Sequence, residues 1–204
     1  MKKSIVMLLA IATVVACNKK ETTAADHSGD HTEMSASTDS SMTMNSDSTA
    51  SSGTTSEAAP ISDQDKKFAD VAAKGGMMEV MAGELAVKNA TNPTVKSLAD
   101  MMVKDHTKAN NELKQWALAN SYTLPANLDV EQQKKYDELK AKKGAEFDRA
   151  YTDQMVIDHK KTIADFKKES AEGSEASLKS FADKKIPALE HHLMESEKAK
   201  TAVK

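Results

Sequence analysis

From residue 61 onward, apolar positions recur at spacings alternating near three and four, the pattern of helices with one buried stripe. Between Ser62 and about Asn89 the stripe reads Phe68, Ala72, Gly75, Glu79, Ala82, Ala86. Between Pro93 and about Ala119 it reads Val95, Leu98, Met102, His106, Ala109, Leu113, Trp116. A third stripe, over 145–171, holds Phe147, Tyr151, Met155, His159, Thr162 and Phe166. A fourth, over 175–202, holds Leu178, Phe181, Leu189, His192 and Ser196. Punctuation agrees with these limits. Ser62 followed by Asp65 forms a capping box, and Asn92-Pro93 supplies an N-cap and a proline at the first helical position. Gly173-Ser174 turns the chain, and Pro187 is expected to kink the last helix. Residues 120–144 form a long connection broken at Pro125. Within it Asp129 caps a short helix over 130–143, which Gly144 ends. Two helical hairpins joined by one long crossover predict an all-α, ferritin-like four-helix bundle over residues 61–204. The alternative is a simple up-down bundle with a loose central loop. Its 144 residues suffice for a real core.

Residues 1–60 follow other rules. Lys2 and Lys3 precede an apolar run from Ile5 to Ala16 that is shorter than the ~20 residues a membrane span needs. Residues 1–16 therefore read as an export signal. The run ends in Val14-Val15-Ala16-Cys17, which resembles the bacterial lipobox. That resemblance implies cleavage before Cys17 and lipidation of Cys17, so that acyl chains hold the protein to a membrane. Asn18 after the cysteine favours the outer membrane of a Gram-negative envelope, by resemblance to the sorting rules of such proteins. Residues 18–60 contain no Ile, Leu, Val, Phe, Tyr or Trp, and 18 of those 43 are Ser or Thr. They cannot bury enough apolar surface to offset chain entropy, so 17–60 is expected to be a disordered tether. His27, His31, Met34, Met42 and Met44 within it are copper-ligand types, although a solvated polar linker explains them more simply.

Charge and composition then exclude several classes. The chain carries 28 basic and 31 acidic side chains, a net charge of -3. That offers no basic surplus for nucleic acid. One cysteine excludes a disulfide framework and a cysteine-rich zinc site. No serine-nucleophile motif, phosphate-binding glycine loop or cysteine nucleophile is present, so no enzyme class is indicated.

Chemistry concentrates in a repeat. Met102-Val103-Lys104-Asp105-His106 recurs 53 residues later as Met155-Val156-Ile157-Asp158-His159. His106 lies 13 residues from each end of its predicted helix, and His159 lies 14 and 12 from its own. His192 and Glu79 also fall near the middle of theirs. At a rise of ~1.5 Å per residue, all four sit within about two turns of mid-bundle, whichever way each helix points. Glu79, His106, His159 and His192 are therefore the candidate metal ligands. Asp105, Asp158 and Glu195 lie beside them as supporting or direct ligands.

Gly76-Met77-Met78-Glu79-Val80, the two Asp-His segments, Phe147-Asp148-Arg149-Ala150-Tyr151, and Pro187-Ala188-Leu189-Glu190-His191-His192-Leu193 together resemble the domain of unknown function 4142 family of exported bacterial proteins. The likeness covers about Asp65 to Lys200. It implies a ferritin-like fold and brings no established activity, so the chemistry rests on the residues. A di-iron centre of ferritin type needs Glu-x-x-His on two helices, whereas two helices here carry adjacent Asp-His. Neighbouring helical residues point ~100° apart, so both cannot face the centre equally. Imidazole and carboxylate suit Fe, Zn or Cu, which makes a single transition-metal site one reading. The other is a metal-free polar layer, structural or pH-sensing, in an envelope interaction or stress-response module. The seven methionines of the folded part fall mostly on or beside apolar faces and read as core filler.

Overall fold

The computed structural model describes residues 60–204, and these fold into five helices. They are α1 (Asp63–Asn89), α2 (Pro93–Ala119), α3 (Val130–Ala141), α4 (Gly144–Glu172) and α5 (Ala176–Ala202). The export signal, Cys17 and the tether with His27 and His31 lie outside the described residues. Among the described residues, no helix is long and apolar enough to cross a membrane.

The local signals act as the physics requires. The Ser62 side chain accepts from Asp65 N–H while the Asp65 carboxylate accepts from Ser62 N–H, a complete capping box. Asn92 caps α2 ahead of Pro93, and Asp129 with Gln132 closes a second capping box on α3. Two boundaries differ from expectation. The short helix stops at Ala141, and Gly144 opens α4 rather than closing α3, with φ of 56°. That left-handed conformation, cheap only for glycine, lets the chain turn from α3 into α4. Pro187 lies inside α5, which continues through it. The ring removes one N–H donor there, on an exposed face.

Contacts at the ends give the topology. Asp148, early in α4, accepts from Thr91 N–H and Asn92 N–H at the α1–α2 turn, at 3.0 and 2.9 Å. Asn92 also reaches the Ala202 carbonyl at the end of α5. At the other end, Asp65 accepts from Ser174 N–H at 2.9 Å, and Trp116 Nε1–H donates to Glu175 at 2.8 Å. So α2 finishes where α5 starts, and α4 starts at the opposite end. Residues 120–143 must travel the length of the bundle, and α3 packs on α1 and α4 along the way. This crossover makes the bundle ferritin-like and excludes the simple up-down arrangement. Each helix packs antiparallel against its hairpin partner, α1 with α2 and α4 with α5.

The core comes in two parts. One apolar cluster, near the α1–α2 turn, includes Met78, Val95, Met102, Phe147, Tyr151 and Met155. The second, towards the α4–α5 turn, includes Phe68, Leu113, Trp116, Phe166, Phe181 and Leu189. The buried face of α1 is wider than the predicted stripe: Ala69, Ala73 and Gly76 are buried, while Ala72 and Gly75 are half-buried. A Cβ at Gly76 would collide with the Asn110 side chain, so the glycine sets the close approach of α1 to α2. Between the two clusters lies a polar layer.

Candidate metal centre

The layer is made by His106 from α2, His159 from α4, His192 from α5 and Glu79 from α1, all buried. Each lies mid-helix on the stripe that also carries the apolar core, so packing of the flanking layers brings them together. The three imidazoles face one another, with ring centroids 5.6 Å (His106–His159), 5.2 Å (His106–His192) and 5.4 Å (His159–His192) apart. One ring nitrogen from each lies within 4.8 Å of the other two.

Hydrogen bonds decide which nitrogens are bare. His159 Nδ1 lies 2.9 Å from the Met155 carbonyl oxygen. A carbonyl only accepts, so Nδ1 carries the proton and Nε2 is the lone pair. His192 Nε2 lies 3.1 Å from Asp105 Oδ2. A carboxylate likewise only accepts, so Nδ1 of His192 is the lone pair. The buried ring nitrogens without a partner are His106 Nε2, His159 Nε2 and His192 Nδ1. For His159 and His192 the unpartnered nitrogen is the one that tautomer leaves basic.

Electrostatics keep these rings neutral. Burial lowers His106 well below the usual imidazole value, and the neighbouring His159 and His192 add to the effect. Burial brings His159 down to about 4 despite the Met155 hydrogen bond. His192 is lowered by burial, with Asp105 opposing. Three neutral imidazoles in a buried layer are of the donor type that transition metals take.

Other sequence-nominated residues take different places. Glu79 approaches His159 from behind: its Oε1 is 3.9 Å from Nδ1, the protonated nitrogen, while its Oε2 is buried without a partner. Burial raises Glu79 well above the usual carboxyl range, and Asp158 adds to this. A neutral Glu79 carboxyl costs less in that setting than an unpaired carboxylate. Asp105 orients His192, as a ligand-supporting carboxylate does. Asp158 accepts from Gln154 Nε2 at 2.6 Å. Glu195 pairs with Lys198 at 3.0 Å. Two participants escaped the sequence reading. The Met155 carbonyl is backbone and has no side-chain signature beyond lying four residues before His159. The Tyr151 hydroxyl is buried and unpartnered, and burial together with Glu79 raises it well above the usual phenol value. Tyr151 stood on the predicted stripe, where an aromatic ring reads as core.

The profile of the domain of unknown function 4142 matches residues 50–199. The chain belongs to this family. No curated protein matches it in sequence. Among solved structures, the fold is similar to a DUF305 fragment from Deinococcus radiodurans, at TM-score 0.62 and 10% identity, covering 70% of this chain and 99% of that one. It is also similar to CopM in its Cu(II)-bound form, at TM-score 0.58 and 17% identity, covering 67% of this chain and 95% of that one. CopM in its Ag-bound form gives TM-score 0.54 and 19% identity, covering 65% and 92%. At these identities the likeness is one of fold.

Proposed function

We propose that this family member is a transition-metal-binding protein whose site is formed by His106 Nε2, His159 Nε2 and His192 Nδ1, with copper the first metal to test. One observation carries the reading: three buried imidazoles meet, each with a ring nitrogen within 4.8 Å of the others, and each keeps a buried ring nitrogen with no hydrogen-bond partner. A buried lone pair left unpaired costs about 1–3 kcal/mol. Three in one layer, splitting an otherwise apolar core, are hard to account for unless something binds them. Imidazole donors suit copper, zinc and iron alike. Copper comes first because the fold is shared with CopM, which has been solved in Cu(II)- and Ag-bound forms.

The metal-free polar layer is the second reading, and one contact favours it: His192 is paired with Asp105 across α5 and α2. It fits His106 less well, since no carboxylate pairs with that ring. The proposal also includes the cell envelope as the location, with Cys17 the lipid anchor and 17–60 the tether. The lipobox-like sequence supports this part.

The test uses the tag-free chain carrying Cys17→Ser, so that it stays unlipidated. After stripping, it is titrated with Cu(I), Cu(II), Zn(II) and Fe(II), reading bound metal by elemental mass spectrometry and thermal stability. The expected result is near-stoichiometric metal and a raised Tm, both lost in the His106→Ala/His159→Ala double variant. Binding that survives in that variant would place the metal elsewhere, for example in the tether. No binding would leave the metal-free layer.

A further inference from the structure

Each long helix has a small side chain one turn from its member of the polar layer, although on α5 the buried residue at that level is Leu189. On α1 Gly75 and Gly76 lie four and three residues before Glu79. On α2 Ala109 lies three after His106, on α4 Thr162 three after His159, and on α5 Ala188 four before His192. The helices alternate in direction, so all these positions fall towards the α4–α5 turn. One layer further on, the side chains are large again. Phe68 packs edge-on against Phe166 with ring centroids 4.8 Å apart, and Phe166 meets Phe181 at 6.1 Å. A layer of small residues between a histidine layer and a phenylalanine layer leaves a gap. The structure has a cavity of about 70 Å³ there, lined from all four long helices. His106, His192, Phe68, Leu113, Phe166 and Leu189 are among the residues that line it.

We infer that this cavity is a binding chamber for a small uncharged molecule of two or three atoms, of the class of carbon monoxide, nitric oxide or dioxygen. The chamber adjoins the histidine layer, so a metal held there would have a coordination position open to its contents; this last step rests on the metal-binding reading above. Size favours a small guest, because the space is about half of the ~150 Å³ of an engineered cavity that takes benzene or xenon. Charge sets the class. Glu79, Asp105 and Asp165 are the acidic groups on its lining, and the one lysine there is already engaged. Lys185 Nζ is held by Glu112 at 2.5 Å and lies 5.5 Å from the centre of the Phe181 ring. No free cation greets an anion, and the phenylalanine wall offers nothing to a hydrated cation. A small apolar or weakly polar molecule meets no such penalty. Half-buried Ala109 and exposed Ala188 border the cavity between α2 and α5 and give it a way in.

The chamber and the metal are tested by separate arms on the Cys17→Ser chain. Metal-free protein is equilibrated with xenon, an uncharged probe of suitable size, while the methyl resonances of Leu113 and Leu189 are followed. Saturable shifts are expected in the parent protein and their loss in Ala109→Leu, which fills the space from a half-buried position. Ala72→Leu fills it from α1, the other helix of the same hairpin, and serves if the first variant does not fold. Absence of xenon shifts in the parent overturns the chamber, whatever the metal does. The Cu(I)-loaded protein is then exposed to carbon monoxide and the C–O stretch recorded by infrared. A band in the parent that disappears in the filled variant, at unchanged copper content, supports access from chamber to metal. Full copper loading with no band, or a band that persists in both filled variants, overturns that access and leaves the metal site standing. Failure to load copper defeats the metal reading alone, and the xenon arm still decides the chamber.

Discussion

Two buried polar places in this bundle are built on opposite principles. At the α1–α2 turn, the Asp148 carboxylate accepts from Thr91 N–H, from Asn92 N–H and, at 2.5 Å, from the Thr91 hydroxyl. Every donor in reach is used, and the carboxylate closes a turn whose N–H groups would otherwise be orphaned. At the centre, His106, His159, His192, Glu79 and Tyr151 each keep a buried polar atom with no partner. Folding tolerates the first arrangement because it is saturated. The second it tolerates only at a cost, since an unpaired buried donor or acceptor forfeits its hydration. A buried polar group that serves the fold alone is driven towards saturation.

The largest expected effect lies at the saturated end. Asp148→Ala leaves the Thr91 and Asn92 N–H groups without their acceptor and removes bonds to a charged group, each worth about 1.5–3 kcal/mol. Partial access of the turn to water softens the total, and a loss of about 3–4 kcal/mol is expected by urea denaturation. Metal affinity should not change. A loss under 1 kcal/mol would remove the contrast from its structural side.

The next effect belongs to the open layer. Saturating metal at one hundred times its Kd should stabilise the protein by about 2.7 kcal/mol. A domain of this size then melts roughly 5–10 °C higher. The His106→Ala/His159→Ala variant should lose that increment completely by differential scanning fluorimetry. If the variant keeps it, the open nitrogens are not what the metal uses.

Asp105→Asn probes the link between saturation and openness. Asp105 holds the proton on His192 Nε2 and so keeps Nδ1 bare. An asparagine can present its amide N–H instead and favour the opposite tautomer. Metal affinity measured by chelator competition should fall about 10–100-fold. Stability of the metal-free protein should stay within about 0.5 kcal/mol, because Asp105 is only partly buried. Unchanged affinity would mean that the Asp105 contact does not set the ligand nitrogen.

The helices, the crossover and the height of the histidine layer were legible in the chain, and the contrast between the two places was not. The helices were readable because stripe, cap and turn residues agree over long segments: Ser62 with Asp65, Asn92-Pro93, and Asp129. The crossover was readable because residues 120–144 exceed what a tight turn needs. The meeting of three histidines followed from mid-helix position alone, since in an antiparallel bundle equal distance from the ends means equal height. The sense of each contact was not legible. Glu79 shares the height of the histidines, but its carboxyl reaches the protonated side of His159, a matter of helix rotation. Asp105 and Asp158 occupy the same place in the repeat and part company in space. One meets His192 from α5, the other meets only Gln154 of its own helix. Asp148 went unnoticed as a keystone because an acid early in a helix usually just favours the helix dipole.

A third buried acid tests whether saturation can be shared. Glu169, beside Asp65 near the α4–α5 turn, is 1% exposed, and neither of its oxygens has a hydrogen-bonding N–H or hydroxyl partner. Burial pushes its carboxyl up to about 7, and the hydrogen bond to Asp65 adds to the rise. Asp65 goes the other way. Burial opposes its ionisation, but bonds from the Ser62 hydroxyl and N–H and from Ser174 N–H outweigh it and hold the group at about 2. The pair thus keeps one proton, on Glu169. Between about pH 4.5 and 7 the folded protein retains a proton that the unfolded chain has released, so this group makes stability fall as pH rises through that window. His159, held at about 4, has the opposite sign: the unfolded chain takes up a proton between pH 6.5 and 4 that the folded layer refuses. The two slopes oppose each other from pH 4.5 to 6.5. Glu169→Gln, neutral at every pH, should remove this group's falling slope, while the raised Glu79 carboxyl, of the same sign, stays in parent and variant alike. In metal-free protein the variant should gain stability relative to the parent as pH goes from 4.5 to 7, read by denaturant midpoints at half-unit steps. Parallel pH profiles for parent and variant would mean that Glu169 ionises normally and holds no shared proton.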